Sequence, residues 1–191
     1  MAEEVVLAGI AGSLRRDSFN AALLREAQAL APADVRLDIV DLAELPLYNR
    51  DLENDGIPAP VEDFRRALAA ADGLVVATPE YNYSIPGVLK NAIDWASRPP
   101  DSPLDSKPMA IMGAGGRFGT VRAQMHLREI ALHNSMRVMI DPEVFVAGAW
   151  GAFDDQGRLT DERLRERVRQ LMTAFGEFVR YVPGDPTLRW A

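Results

Sequence analysis

The stretch VVLAGIAGSLRRDSFNAALLREAQAL, residues 5–30, decides the fold. Its first part, Val5 to Ala11, is an unbroken apolar run, as expected of a strand buried on both faces. Phe19, Ala22, Leu23, Ala27 and Leu30 then recur at helical spacing and predict a helix over residues 18–30. Between strand and helix lie Gly12, Ser13, Leu14, Arg15, Arg16, Asp17 and Ser18. A helix N-terminus offers free N–H groups and a partial positive charge. Ser13, Ser18 and Asn20 add short donors, and Arg15 or Arg16 adds a guanidinium able to grip an oxyanion. The chemistry fits a terminal phosphate. A plain helix start, with one serine or aspartate as cap and both arginines in solvent, accounts for only part of the set. The segment lacks the Gly-Lys-Ser/Thr of a Walker A loop and is not G-x-G-x-x-G. An NTPase and a Rossmann dinucleotide fold are therefore disfavoured.

Working outward, the same alternation repeats. Val35, Leu37 and Ile39 mark a second strand, and residues 41–59, with Gly56, Pro46 and Pro58, read as a long loop. Val61, Phe64, Leu68 and Ala71 form a helix face, and Leu74 to Thr78 is a third buried strand. Pro86 is expected in the first turn of a helix that runs to about Ser97; residues 98–106 are a proline-rich loop. Pro108 to Gly113 is the fourth strand, 119–134 a helix, and Arg137 to Ile140 the fifth strand, with 145–147 as a possible extension. Thr160 is expected to cap a last helix that buries Leu164, Val168, Leu171, Met172, Phe175 and Phe178. Alternation of this kind builds a parallel sheet covered on both faces. No repeat or low-complexity linker interrupts it, so residues 1–191 are expected to form a single domain. Ligands in such sheets bind beyond the C-terminal strand ends.

Composition narrows the function. The 191 residues carry a net charge of -7, which argues against nucleic acid as a partner. There is no cysteine, which removes disulfides, thiolate metal sites and thiol catalysis. No apolar run reaches membrane-spanning length. The start, MAEEVVLAG, lacks a basic segment followed by a long apolar one, so a cytoplasmic protein is expected. His126 and His133 lack a third ligand nearby, and no metal site is expected. The arginines at 163, 165, 167 and 169 read as a solvated helix face.

Two further loops follow strands. TPEYNYSIPGVLKNAIDW, residues 78–95, offers Pro79, Tyr81 and Tyr83 as walls for a flat ligand, with Asn82 and backbone groups for its polar edge. A turn whose tyrosines pack on the core is the competing reading. GAGGRFGT, residues 113–120, lets backbone approach a ligand and sets Arg117 beside it, although such glycines also serve tight packing.

Taken together, GSLRRDSFN (12–20), PEYNYSIPGVLKNAIDW (79–95) and GGRFG (115–119) resemble the NADPH-dependent FMN reductase family of flavodoxin-like proteins. The resemblance implies a three-layer sandwich with a five-stranded parallel sheet in the order 2-1-3-4-5. It implies non-covalent FMN, with Ser13, Arg15, Ser18 and Asn20 at the phosphate. Pro79, Glu80, Tyr81 and Asn82 would line the isoalloxazine, and Gly115, Gly116 and Arg117 its pyrimidine edge. NADPH or NADH would be the co-substrate. A homodimer or homotetramer with the flavin near the subunit interface is implied, and Arg122 and Glu143 are candidates for a polar network across it. The chemistry expected is ping-pong, from nicotinamide to flavin and then to a small-molecule acceptor: a quinone, azo dye, nitro compound, chromate or free flavin. No side chain is assigned as catalytic; Glu80 and Tyr83 are weighed as proton relays and set aside. The competing reading is a flavodoxin-like electron-transfer protein without NAD(P)H turnover of its own.

Overall fold

The computed structural model describes residues 4–182. The elements run β1 (Val5–Ala11), α1 (Phe19–Leu30), β2 (Val35–Val40), α2 (Arg50–Asn54), α3 (Ala59–Ala70), β3 (Gly73–Ala77), α4 (Gly87–Ala96), β4 (Pro108–Ala114), α5 (Val121–Ala131), β5 (Arg137–Val138), β6 (Val144–Val146) and α6 (Glu162–Tyr181). The strands pair in parallel in the order β2-β1-β3-β4-β5, and β6 also pairs with β4. The order expected from the resemblance therefore holds, with a sixth strand added. β5 covers Pro108 and Met109 of β4, while β6 covers Met112 to Ala114. One edge of the sheet is thus two short pieces laid end to end, in place of the single fifth strand expected.

The period of two along each strand explains the layers. Leu7, Val75, Ala77, Ala110 and Met112 point to one face, where α1 and α6 bring Leu23, Leu24, Ala27, Leu171, Met172 and Phe175. Ala8, Ile10, Leu74, Val76, Met109 and Ile111 point to the other, under Phe64, Leu68, Leu89, Ala92, Ala123 and Leu127 of α3, α4 and α5. A central strand buried on both faces needs apolar residues at every position, which is why β3 reads GLVVA.

Several local expectations are corrected. The loop after β2 contains the short helix α2, capped by Asn49, whose side chain accepts from the Asp51 N–H. The cap of α6 is Asp161, which accepts from the Arg163 N–H, not Thr160. The arginine face of α6 is only partly solvated. Arg165 Nε lies 3.1 Å from the buried carboxylate of Glu26, and Arg167 Nε donates to the Glu143 carbonyl at 3.1 Å. Pro86 is the residue before α4 rather than a member of its first turn.

Two hydrogen-bonded side chains, the buried Asn91 and the half-buried Arg65, fix the flanks of α4. Asn91 accepts from the Tyr48 N–H at 2.8 Å and donates to the Pro46 carbonyl at 2.9 Å, pinning the long loop. Arg65 donates to the carbonyls of Trp95, Ala96, Arg98 and Asp101, closing the C-terminal end of α4. Among the described residues, no helix is long and apolar enough to cross a membrane.

Candidate functional site

β1, β3 and β4 end side by side, at Ala11, Ala77 and Ala114. The three loops singled out in the sequence leave from these ends, so parallel pairing alone brings them together. They enclose a cleft of about 360 Å³ lined by Ser13, Arg15, Ser18, Phe19, Asn20, Pro79, Glu80, Tyr81, Ala114, Gly115, Gly116, Ala149 and Trp150. It lies at the junction where the chain passes from β1 to the neighbouring β2 and β3, the position at which such sheets bind ligands. The two remaining expected residues, Asn82 and Arg117, line an adjoining cleft of about 560 Å³ that shares Glu80 and Gly116 with the first.

The first loop divides its labour. Ser18 is buried and caps α1, its hydroxyl accepting from the Ala21 N–H at 3.3 Å. Asn20 is also buried. Its amide donates to the Ala114 carbonyl at 2.8 Å, and its carbonyl accepts from the Ala114 N–H at 2.9 Å. This side chain clamps the start of α1 to the end of β4. Ser13 accepts from the Arg15 N–H at 3.3 Å, which folds the loop on itself. The Arg15 guanidinium rests 5.0 Å from the centre of the Phe19 ring, and Phe19 stacks on Phe153 at 5.6 Å. Arg15 is thus held at the cleft without a carboxylate partner among the described residues, while Arg16 does not line it.

The second loop is a tight hairpin. Tyr81 and Ser84 exchange both backbone hydrogen bonds at 3.0 Å, with Asn82 (φ 51°) and Tyr83 (φ 66°) between them. Two consecutive positive φ values define the type I′ turn. Asn tolerates this conformation, whereas Tyr adopts it at a cost of about 1–2 kcal/mol. Glu80 explains what holds the turn in place. Its Oε2 accepts from the backbone N–H groups of Arg122 (2.9 Å) and Ala123 (3.2 Å), and its Oε1 accepts from Arg122 Nη1 at 3.1 Å. Thr120 makes no side-chain cap to α5, so Glu80 caps that helix from another loop. Arg122, expected as part of a cross-subunit network, is engaged within its own chain. Ser84 Oγ lies 3.0 Å from His126 Nδ1.

The glycine loop contains both kinds of glycine. A Cβ on Gly113 would lie 1.9 Å from Thr120 Oγ1, and one on Gly115 2.4 Å from the Gly119 carbonyl oxygen. These two are required by packing. A Cβ on Gly116 would meet nothing nearer than Trp150, at 4.0 Å, so that position is open toward the cleft. Gly115 N–H donates to the Val146 carbonyl, and the Gly115 and Gly116 carbonyls accept from Ala149 and Gly148. The loop is therefore stitched to the segment after β6, which brings in Trp150, 73% exposed at the rim. Sequence reasoning missed Trp150; its signal was an exposed aromatic between glycines just beyond a strand end.

A phosphate at the α1 terminus with Ser13 and Arg15, and a flat ring between the Pro79–Tyr81 loop and the Gly115–Gly116 loop, is what this donor set and open glycine position accommodate. The residues fit FMN. The model of the NADPH-dependent FMN reductase family matches residues 5–151. An NAD(P)H-dependent FMN reductase of Pseudomonas aeruginosa is 49% identical over 185 residues, covering 96% of this chain and 100% of that one. A quinone reductase of Escherichia coli is 40% identical over 186 residues, covering 95% and 99%. The solved structure of FerB, a flavoenzyme NAD(P)H:(acceptor) oxidoreductase from Paracoccus denitrificans, superposes with a TM-score of 0.85 at 33% identity, over 94% of this chain and 99% of that one. The chain belongs to the NADPH-dependent FMN reductase family. With that membership come an oxidoreductase activity, FMN as cofactor and a nicotinamide dinucleotide as electron donor.

Proposed function

We propose that this chain, acting as one domain, is an NAD(P)H-dependent flavoenzyme that reduces quinones and similar small acceptors. The observation that carries the proposal is the convergence of three strand-end loops on one cleft at the N-terminus of α1, with Arg15 held there and Gly116 open. FMN, when bound, supplies the redox chemistry, taking a hydride from the nicotinamide and passing electrons to an acceptor that visits in its turn.

The chain's own residues bind and orient. Ser13, Arg15 and the first N–H groups of α1 would hold the phosphate. Ser18 and Asn20 act there by fixing the loop: one caps the helix, the other clamps it to β4. Pro79, Glu80 and Tyr81 would wall one side of the ring system, with Gly115 and Gly116 along its edge. Asn82 at its hairpin tip belongs to the adjoining space used by donor and acceptor. Tyr81 and Trp150 are about half and three-quarters exposed, so the mouth is open and a proton is available from solvent. No side-chain acid is needed. An open mouth served by two substrates in succession supports loose acceptor specificity, including azo dyes, nitro compounds, chromate and free flavin. The exposed Tyr83, Phe118, Val121 and Met125 beside the mouth are consistent with a homodimer or homotetramer whose second subunit completes the wall.

The test is the visible spectrum of the purified protein before and after anaerobic NADPH, followed by a quinone. Flavin absorbance that bleaches with NADPH and returns with the quinone is expected. A bound flavin that stays oxidised would replace the proposal with a flavodoxin-like electron carrier. A colourless protein that FMN does not reconstitute would overturn the cofactor site.

A further inference from the structure

The adjoining cleft lies between two tight turns. One has Asn82 and Tyr83 at its tip, closed by the Tyr81–Ser84 bridge; the other has Arg117 and Phe118 at its tip, closed by the Gly116–Gly119 bridge. The second turn is closed by backbone hydrogen bonds. Gly119 N–H donates to the Gly116 carbonyl at 3.1 Å, Gly119 adopts φ 61°, and the same Gly116 carbonyl accepts from Gly148. Arg122 bridges the two tips. Its guanidinium lies 4.2 Å from the Tyr83 ring centre and 5.2 Å from that of Phe118, and it is paired with Glu80. The Glu80 carboxylate is in turn consumed by Arg122 and two backbone N–H groups.

Arg117 is different. It lines the cleft, it is exposed, and its guanidinium rests 5.3 Å from the Phe118 ring. Among the described residues it meets no carboxylate. In a chain of net charge -7 this is a cation left over in a concave space next to the flavin cleft. A solvated surface arginine would need neither the fixed turn nor the aromatic support. The remaining charges of the cleft cancel, so a phosphate entering it meets no uncompensated carboxylate.

We propose that Arg117 binds a phosphate of the nicotinamide dinucleotide donor, in the cleft between the two turn tips, and so sets the enzyme's preference for dinucleotide over smaller hydride donors. This assigns Arg117 to the donor instead of to the flavin edge, and it rests on the flavoenzyme reading above. The supporting chemistry is general: a planar guanidinium forks onto phosphate oxygens, and Tyr83 and Phe118 offer faces on which a base or nicotinamide can lie.

The test uses the FMN-loaded protein and its Arg117→Ala and Arg117→Lys variants. Three donors are compared: NADPH, NADH and N-benzyl-1,4-dihydronicotinamide, which carries no phosphate. For Arg117→Ala the ratio of KM for NADPH to KM for the benzyl donor rises about tenfold or more, the loss of one charge-assisted contact. Arg117→Lys recovers part of it. Calorimetric titration of the oxidised dinucleotide NADP+ into the holoprotein shows the same loss without turnover. If KM for NADH rises as far as that for NADPH, the phosphate read is the pyrophosphate; if only NADPH is affected, it is the 2′-phosphate. Unchanged ratios, or all three donors shifting together, overturn the proposal. Failure of the flavoenzyme reading looks different: the wild-type holoprotein then oxidises none of the donors, and this proposal falls with it.

Discussion

Replacing Glu80 separates a structural carboxylate from a catalytic one. Its side chain is 11% exposed, against 41% for its partner Arg122. Three groups lose their acceptor in Glu80→Ala: the Arg122 N–H, the Ala123 N–H and the Arg122 guanidinium. A hydrogen bond to a charged group contributes about 1.5–3 kcal/mol. The guanidinium contact is near solvent and is discounted to below about 1 kcal/mol. Ala123 is fully buried, so its N–H finds no water in exchange, whereas Arg122 is a half-buried residue. The expected destabilisation is therefore about 3 kcal/mol. For a chain of this size, roughly 2–4 °C of melting temperature correspond to each kcal/mol, so Glu80→Ala should melt about 6–12 °C lower. Glu80→Gln keeps one acceptor but loses the charge at the start of α5, and should lose about half as much. The assay is thermal unfolding of the holoprotein with excess FMN, paired with NADPH-driven quinone turnover. Because Glu80 acts by holding the Tyr81–Ser84 turn against α5, kcat of Glu80→Gln should fall less than tenfold. Abolished turnover with FMN still bound and a wild-type melting temperature would refute the reasoning and make Glu80 a proton donor.

Tyr83→Phe keeps the ring beneath Arg122 and should leave kcat within about threefold, since a single surface contact of this kind contributes about 0.5–1 kcal/mol at most and the hydroxyl is not part of it. Asn20→Ala strands the buried N–H and C=O of Ala114 and should destabilise by about 3 kcal/mol, read by urea unfolding; a loss below about 1 kcal/mol would remove the clamp from the account. Gly115→Ala should unfold more easily because its methyl would meet the Gly119 carbonyl, whereas Gly116→Ala should fold normally and bind FMN more weakly in a fluorescence titration; equal behaviour of the two would contradict the geometry. Asp154 is held below its ordinary carboxylate value, chiefly by the Arg158 backbone N–H and further by its side chain and the Gln156 N–H. A carboxylate with a lowered folded value stabilises fully above the unfolded value of 3.8 and loses that effect as pH falls through the folded one. The melting-temperature gap between wild type and Asp154→Asn should thus stay constant above about pH 5 and close below 3.8, and a gap independent of pH would refute it.

The central strands were legible because burial on both faces leaves no polar position, and GLVVA or PMAIMGA can hardly be anything else. The edge was not. β5 has two residues and β6 three, too few for any period to register, and each owes its pairing to β4. The same contrast runs through the site. Loop positions follow from strand order and could be read in advance, but partners far apart in sequence could not. Asn20 and Ala114 are 94 residues apart, and Glu80 and Arg122 are 42 apart. Asn20 read as a phosphate donor because its type fits; in the fold its amide carbonyl and one of its N–H groups are taken by the Ala114 backbone. The family resemblance implied Arg117 as a flavin contact; in the fold it stands among the residues that line the neighbouring cleft.

That outcome changes how the segment from Ala11 to Asn20 should be understood. Read from the sequence, its polar residues share one phosphate, and in the fold they make different contacts. Ser18 caps the start of the helix, Asn20 joins it to β4, and Ser13 shapes the turn. Arg15, resting against the Phe19 ring, meets no carboxylate among the described residues, and we propose it as the charged member left for a ligand. The residues that do not bind directly still matter to binding, because an anion site made of backbone N–H groups works only if those groups are already aimed. Each polar side chain of the loop that is satisfied by the protein removes one way for the loop to rearrange. The cradle's rigidity and its spare charge are thus separate properties of the same ten residues, and substitution at Asn20 should lower affinity through the first, at Arg15 through the second.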